Sequence, residues 1–222
     1  DRERLLKRLC LDLIGMPPTL EMMESFRTDT SSRAYEKIVD QLLKNPEKKK
    51  KMALHWLDIA RFADSHGFQD DSYRSQWPWR DWTIHAFNQN IPYDDFITWQ
   101  LAGDLMPNAT KEHLLATGFN RNHKITEEGG IIDEEYRVMY VTDRTDLVGK
   151  ALLGVTIECA RCHDHKYDPF SQKEYYQLYA FFNNIREVGI ESVVGGPETY
   201  AKKPLMEISD DDIKDILSFV NK

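Results

Sequence analysis

Apolar residues recur at intervals of three and four along most of this chain, and that period, rather than the alternation of a strand, sets what it can fold into. Tyr35, Ile38, Val39, Leu42 and Leu43 share a helical face after the candidate caps Ser31 and Ser32, and Ala53, Trp56, Leu57 and Ala60 repeat the pattern. Thr19, following Pro17 and Pro18, opens a short helix carrying Met22, Met23 and Phe26, with the methionines read as packing. Further helices are expected around Pro78 to Asn88, after Pro92 with Phe96, Ile97, Trp99 and Leu101 buried, and from the cap Thr110 to Gly118. The longest is expected from about Glu134 to Glu158, where Val141, Val148, Leu152 and Val155 form one narrow stripe. Ser171 and Glu174 form a capping box ahead of Tyr175, Leu178, Tyr179 and Phe182, and Ser209 caps a final helix bearing Ile213, Ile216, Leu217 and Val220. No hairpin signal and no internal repeat interrupts this series.

The expected fold is therefore all-α, an irregular multi-helix single domain with long functional loops at Gly67 to Trp77 and Asn120 to Glu134. A helical domain over 1–188 is expected, followed by a linker at Gly195, Gly196 and Pro197 and a C-terminal helix within 189–222. At 222 residues the chain is long enough to bury a core without help from a cofactor. Its 29 basic and 37 acidic residues give a net charge of -8, which excludes nucleic acid as an expected partner. The Lys48 to Lys51 run reads as a solvated first helical turn. No stretch approaches the roughly 18 apolar residues of a membrane span.

Between the longest helix and the Ser171 box stands Cys159-Ala160-Arg161-Cys162-His163. C-x-x-C-H is the spacing at which haem c is attached: each thiol adds across a vinyl group of the porphyrin, and the next imidazole becomes an axial iron ligand. A chain of this composition would show it about 0.001 times by chance, so accident is a poor explanation. Three alternatives stay open: a small disulfide, a redox dithiol, and a zinc site completed by histidines. Four cysteines are not available for zinc, because the third, Cys10, sits in the apolar run Leu9-Cys10-Leu11 and reads as a buried, inert thiol. Haem c is attached outside the bacterial cytoplasm, so the expected location is periplasmic or otherwise extracytoplasmic, with an export signal upstream of Asp1.

A sixth iron ligand is harder to read. His123, in the second irregular loop, is the first choice for the distal side, against a loop histidine bonded to a carboxylate. His165 reads as a neighbour of Asp164 and Asp168 or as a solvated surface residue, Met139 as core, and Met206 as a weak signal. Glu127, Glu128, Asp133, Glu134 and Glu135 read as a solvated acidic loop, with calcium the sharper alternative. Trp77, Trp79 and Trp82 read as core anchors rather than as a ligand surface with Tyr73 and Arg80.

Taken together, four segments resemble the planctomycete-type cytochrome c-like domain, the second cytochrome-like module of large exported bacterial proteins. They are Leu11-Asp12-Leu13-Ile14-Gly15-Met16-Pro17-Pro18-Thr19, His55 to Asp64 (HWLDIARFAD), Gln100 to Pro107 (QLAGDLMP) and Cys159 to Pro169 (CARCHDHKYDP). The likeness runs from about Arg2 to Asn184, and Cys159, Cys162 and His163 match the family motif residue by residue. The resemblance implies a fragment of a multidomain protein, with neighbouring domains of the same polypeptide or a redox protein as partners. By analogy it also suggests polysaccharide as a substrate class.

The leading expectation is thus an exported electron-transfer domain that binds haem c through Cys159, Cys162 and His163. Its competitor is a carbohydrate-related binding or hydrolytic module, with the cysteines in a structural disulfide or in zinc with His163 or His165. The active surface would then lie among Arg61, Asp64, Trp79, Asp81 and the acidic loop.

Overall fold

The computed structural model describes residues 1–68, 71–189, 206 and 208–220. Among them are ten α-helices and no strand, so the all-α expectation holds. The helices are α1 (Arg2–Ile14), α2 (Leu20–Thr28), α3 (Ala34–Leu43), α4 (Pro46–Ile59), α5 (Trp77–Gln89), α6 (Tyr93–Ala102), α7 (Lys111–Ala116), α8 (Asp133–Val148), α9 (Gln172–Phe182) and α10 (Asp210–Val220). The chain divides into two compact units, Asp1–Trp56 with Ile84–Ile91, and Leu57–Thr83 with Pro92–Lys222. The expected linker at Gly195 to Pro197 lies outside the described residues.

The first unit is built on a four-residue repeat. Leu6, Cys10 and Ile14 lie on one face of α1 and meet Phe26 of α2 and Ala34, Ile38 and Leu42 of α3, with Met22 and Met23 packed at the edge. Cys10 is accordingly a core thiol, its pKa raised by burial. Helix α1 ends because Gly15 adopts φ 72° and returns its N–H to the Cys10 carbonyl. Lys51 then donates from Nζ to the Leu11 and Asp12 carbonyls, both at 2.6 Å. Part of the lysine run therefore serves as a cation on a helix C-terminus rather than as a free solvated turn. The caps Ser31 and Ser32 are not used: α3 starts after Arg33, without a side-chain cap.

In the second unit two of the three tryptophans of α5 are core anchors, Trp79 against Phe62 and Phe119, and Trp82 stacked on Phe96 of α6, while Trp77 is only half-buried. Thr110 caps α7 and Ser171 caps α9, each within a capping box, and Ser209 accepts the Asp212 amide at the start of α10. The long helix ends earlier than its stripe suggests. Val141 and Val148 of α8 pack on Phe182 of α9, but beyond Val148 the backbone widens into a π-helical turn, Gly149–Leu153. Gly154, at φ 66°, then closes it. Met139, expected in the core, is 39 % exposed because it faces away from that stripe.

Candidate functional site

The π turn aims the chain into the cysteine motif. A Cβ on Gly149 would stand 2.8 Å from Cγ1 of Ile157, so only glycine lets the helix end approach the segment leading to Cys159. A 3₁₀ turn follows at Glu158–Arg161, and its threefold period sorts the side chains. Ile157 and Ala160 point inward, where they form a buried cluster with Tyr175 of α9. Cys159 and Cys162, also three apart, are both exposed free thiols. Three-residue spacing in a 3₁₀ turn thus places both sulfurs on the outer side.

His163, which follows, is exposed as well. Its Nδ1 lies 2.7 Å from the Asp164 carbonyl, which can only accept, so Nδ1 carries the proton and the Nε2 lone pair is left for an outside ligand. A contact of this kind fixes the tautomer and orientation of an imidazole. The start of α9 holds the turn from the other side. Tyr176 Oη and Gln172 Nε2 each donate to the Arg161 carbonyl at 3.1 Å, and the Gln172 amide donates to Asp164 at 2.8 Å. His165 is not a surface histidine: its side chain is largely buried, and its Nδ1 accepts the Asp168 amide at 2.9 Å.

These residues fit a covalently attached haem c, with two accessible thiols and an imidazole whose far nitrogen is free. They fit zinc less well. Among the described residues, no group of three His, Cys, Asp or Glu side chains is gathered to hold a metal ion. A zinc site needs such convergence, whereas a porphyrin keeps its thioether sulfurs away from the iron.

His123 is placed elsewhere, in a buried polar cluster of the same unit. Arg144 of α8 forms a bidentate ion pair with Glu187, its NH2 lying 2.5 Å from Oε2, and both side chains are 2 % exposed or less. The same NH2 donates to His123 Nε2 at 2.6 Å, and His123 Nδ1 donates to the Lys124 carbonyl at 2.9 Å. Burial, together with the charges of Arg144 and Arg121, pushes the His123 pKa well down. Its only free lone pair is engaged, and ligating iron would require that contact to break. The expected bond to a carboxylate is not formed: Glu187 lies 3.9 Å from Nε2, and Arg144 bonds to both.

A second buried histidine lies in that unit. His66 Nδ1 sits 3.2 Å from Oε1 of Glu127, and burial lowers the imidazole pKa. Glu127 therefore leaves the solvated acidic loop to which its neighbours were assigned, while Glu134 pairs at the surface with Arg137. The competing surface is dispersed into structural roles. Arg61 binds Asp143, Asp64 accepts the Gln76 amide, Asp81 binds Arg80, and Trp79 is buried. Arg144 was detectable in the sequence, since it falls three residues after Val141 and four before Val148, where a cation inside an apolar stripe demands a buried partner. Nothing in the sequence pointed to Glu187 as that partner.

Comparison with known protein families gives a match. The family model of PSCyt2, described as a protein of unknown function (DUF1549), matches residues 1–187. No curated protein and no solved structure matches the chain. With the match spanning the described helices from α1 to α9, the chain belongs to the PSCyt2 family.

Proposed function

We propose that this chain is a haem c-binding, electron-transfer domain of a larger exported bacterial protein. The observation that carries the reading is the state of His163: Nδ1–H is committed to the Asp164 carbonyl and Nε2 is free, beside two accessible thiols at C-x-x-C spacing. The cytochrome-like name of the family agrees with it. Cys159 and Cys162 would hold the porphyrin through thioethers, and His163 Nε2 would ligate its iron. When bound, the haem supplies a one-electron couple.

The chain's own part is to orient and support. Ile157, Ala160 and Tyr175 anchor the turn from within, and Gln172 and Tyr176 fix its backbone, so the three functional side chains need little reordering when haem is attached. His123 receives no iron in this reading, since Arg144 occupies its Nε2. Attachment of haem c requires an extracytoplasmic location. The exposed motif suits exchange of electrons with a redox protein or with a neighbouring domain of the same polypeptide. Polysaccharide stays a candidate substrate of that larger protein.

The test is spectroscopic. Protein matured in a periplasm competent for haem c should be red, keep its colour through acid-acetone extraction and give a pyridine haemochrome band. Cys159→Ser with Cys162→Ser should abolish the retained colour. Colourless protein from that host contradicts the reading.

A further inference from the structure

Asp146, on the last turn of α8, is half-buried, and the Tyr175 hydroxyl donates to its Oδ1 at 2.9 Å. Tyr175 is 3 % exposed and clusters with Ala160, the residue that follows Cys159 inside the motif. Asp146 is thus connected to the floor of the cysteine turn through one side chain. Lys150 of the π turn, four residues beyond Asp146, pairs with Glu158, which precedes Cys159.

A half-buried carboxyl joined through Tyr175 to the floor of that turn is placed to respond to a change of charge on a group the turn holds. By linkage the effect is reciprocal: whatever the electron does to the proton, the proton does to the electron. We propose that Asp146, held by Tyr175, takes up one proton when the site at Cys159, Cys162 and His163 accepts an electron, and releases it when the electron leaves. This rests on the haem reading above.

The balance is simple. An external one-electron donor supplies the electron, bulk water supplies the proton, an O–H bond forms on the Asp146 carboxylate, and no covalent bond breaks; oxidation reverses each step. The groups facing Asp146 are Tyr175 from α9, Glu158 from the 3₁₀ turn, Lys150 from the π turn and Asp143 from its own helix. Burial raises the carboxyl pKa to about 6, the Tyr175 hydrogen bond and Lys150 opposing and the two acids assisting. Reduction adds one negative charge nearby, so proton affinity rises and the midpoint potential falls as pH rises through the window around that value.

The experiment measures the midpoint potential of haem-loaded protein across a pH range bracketing 6. A downward slope is expected in that window, absent in Asp146→Asn. It should move to higher pH in Tyr175→Phe, where the carboxylate loses its donor. Redox-difference infrared spectra should gain a protonated-carboxyl C=O band on reduction, missing in Asp146→Asn. Should that variant not fold, Tyr175→Phe and the wild-type infrared spectrum decide. A flat wild-type potential, a slope retained in Asp146→Asn or unmoved in Tyr175→Phe, or no infrared band overturns the proposal alone. Protein that carries no covalent haem overturns the haem reading and this inference with it.

Discussion

Arg144 donates to Nε2 of His123 at 2.6 Å, a contact possible only while that nitrogen is unprotonated. His123 is therefore folded neutral, its pKa held well below 6.5 chiefly by burial and then by Arg144 and Arg121. The unfolded chain, by contrast, takes up a proton near 6.5. The stability this contributes is complete above that pH and is lost as pH falls below it. Urea unfolding measured from neutral to mildly acidic pH should show stability falling with acidification. In His123→Gln the slope should be shallower by up to about 1.4 kcal/mol per pH unit. An unchanged slope would mean that His123 is not folded neutral; the buried His66 adds a slope of the same sign in both proteins.

Breaking the Arg144–Glu187 pair leaves an uncompensated buried charge. Glu187→Ala should cost about 3–5 kcal/mol in unfolding free energy. Replacing both partners with apolar residues, Arg144→Met with Glu187→Leu, should recover part of that loss, since it removes the stranded guanidinium but leaves His123 Nε2 without its donor. A single variant as stable as the wild type would show the pair to be solvated.

Gly149 is a close-approach glycine, with Ile157 Cγ1 2.8 Å from where a Cβ would stand. Overpacking there should make Gly149→Ala less stable by about 1–3 kcal/mol, despite alanine's better helix propensity. The fraction of chains carrying haem should fall too, as Ile157 is displaced two residues ahead of Cys159. Adding Ile157→Ala should restore haem content; no change in the single variant would contradict this role for the π turn.

His163→Ala separates attachment from ligation. The thioethers to Cys159 and Cys162 should still form, so colour should survive denaturation, while the absorption spectrum changes for want of the axial nitrogen. Added imidazole should restore the wild-type spectrum. Identical spectra before and after substitution would show that His163 ligates nothing.

Much of this was legible before any coordinates, and unevenly. The cap at Thr110, the capping box at Ser171 and the stripe through Val141 and Val148 are local in origin, and they appear where the sequence puts them. The same locality exposes the motif, since the outward thiols follow from C-x-x-C spacing on a 3₁₀ turn. What pairs distant residues was not legible. Lys51 on the end of α1, Glu127 against His66 and Glu187 against Arg144 each depend on where a loop returns, and charge alone assigns such residues to solvent. The extent of α8 was overread for a related reason. An apolar stripe continues through the π turn, and only the tight contact of Gly149 with Ile157 shows where α-helical geometry stops.

The most direct test of the haem reading is the intact mass of the chain purified from its native host or from a haem c-maturing periplasm. The account predicts a mass increase of one haem that persists in denaturant and maps to the peptide containing Cys159, Cys162 and His163. A chain of unmodified mass, or one lighter by the two thiol hydrogens of a Cys159–Cys162 disulfide, would contradict it.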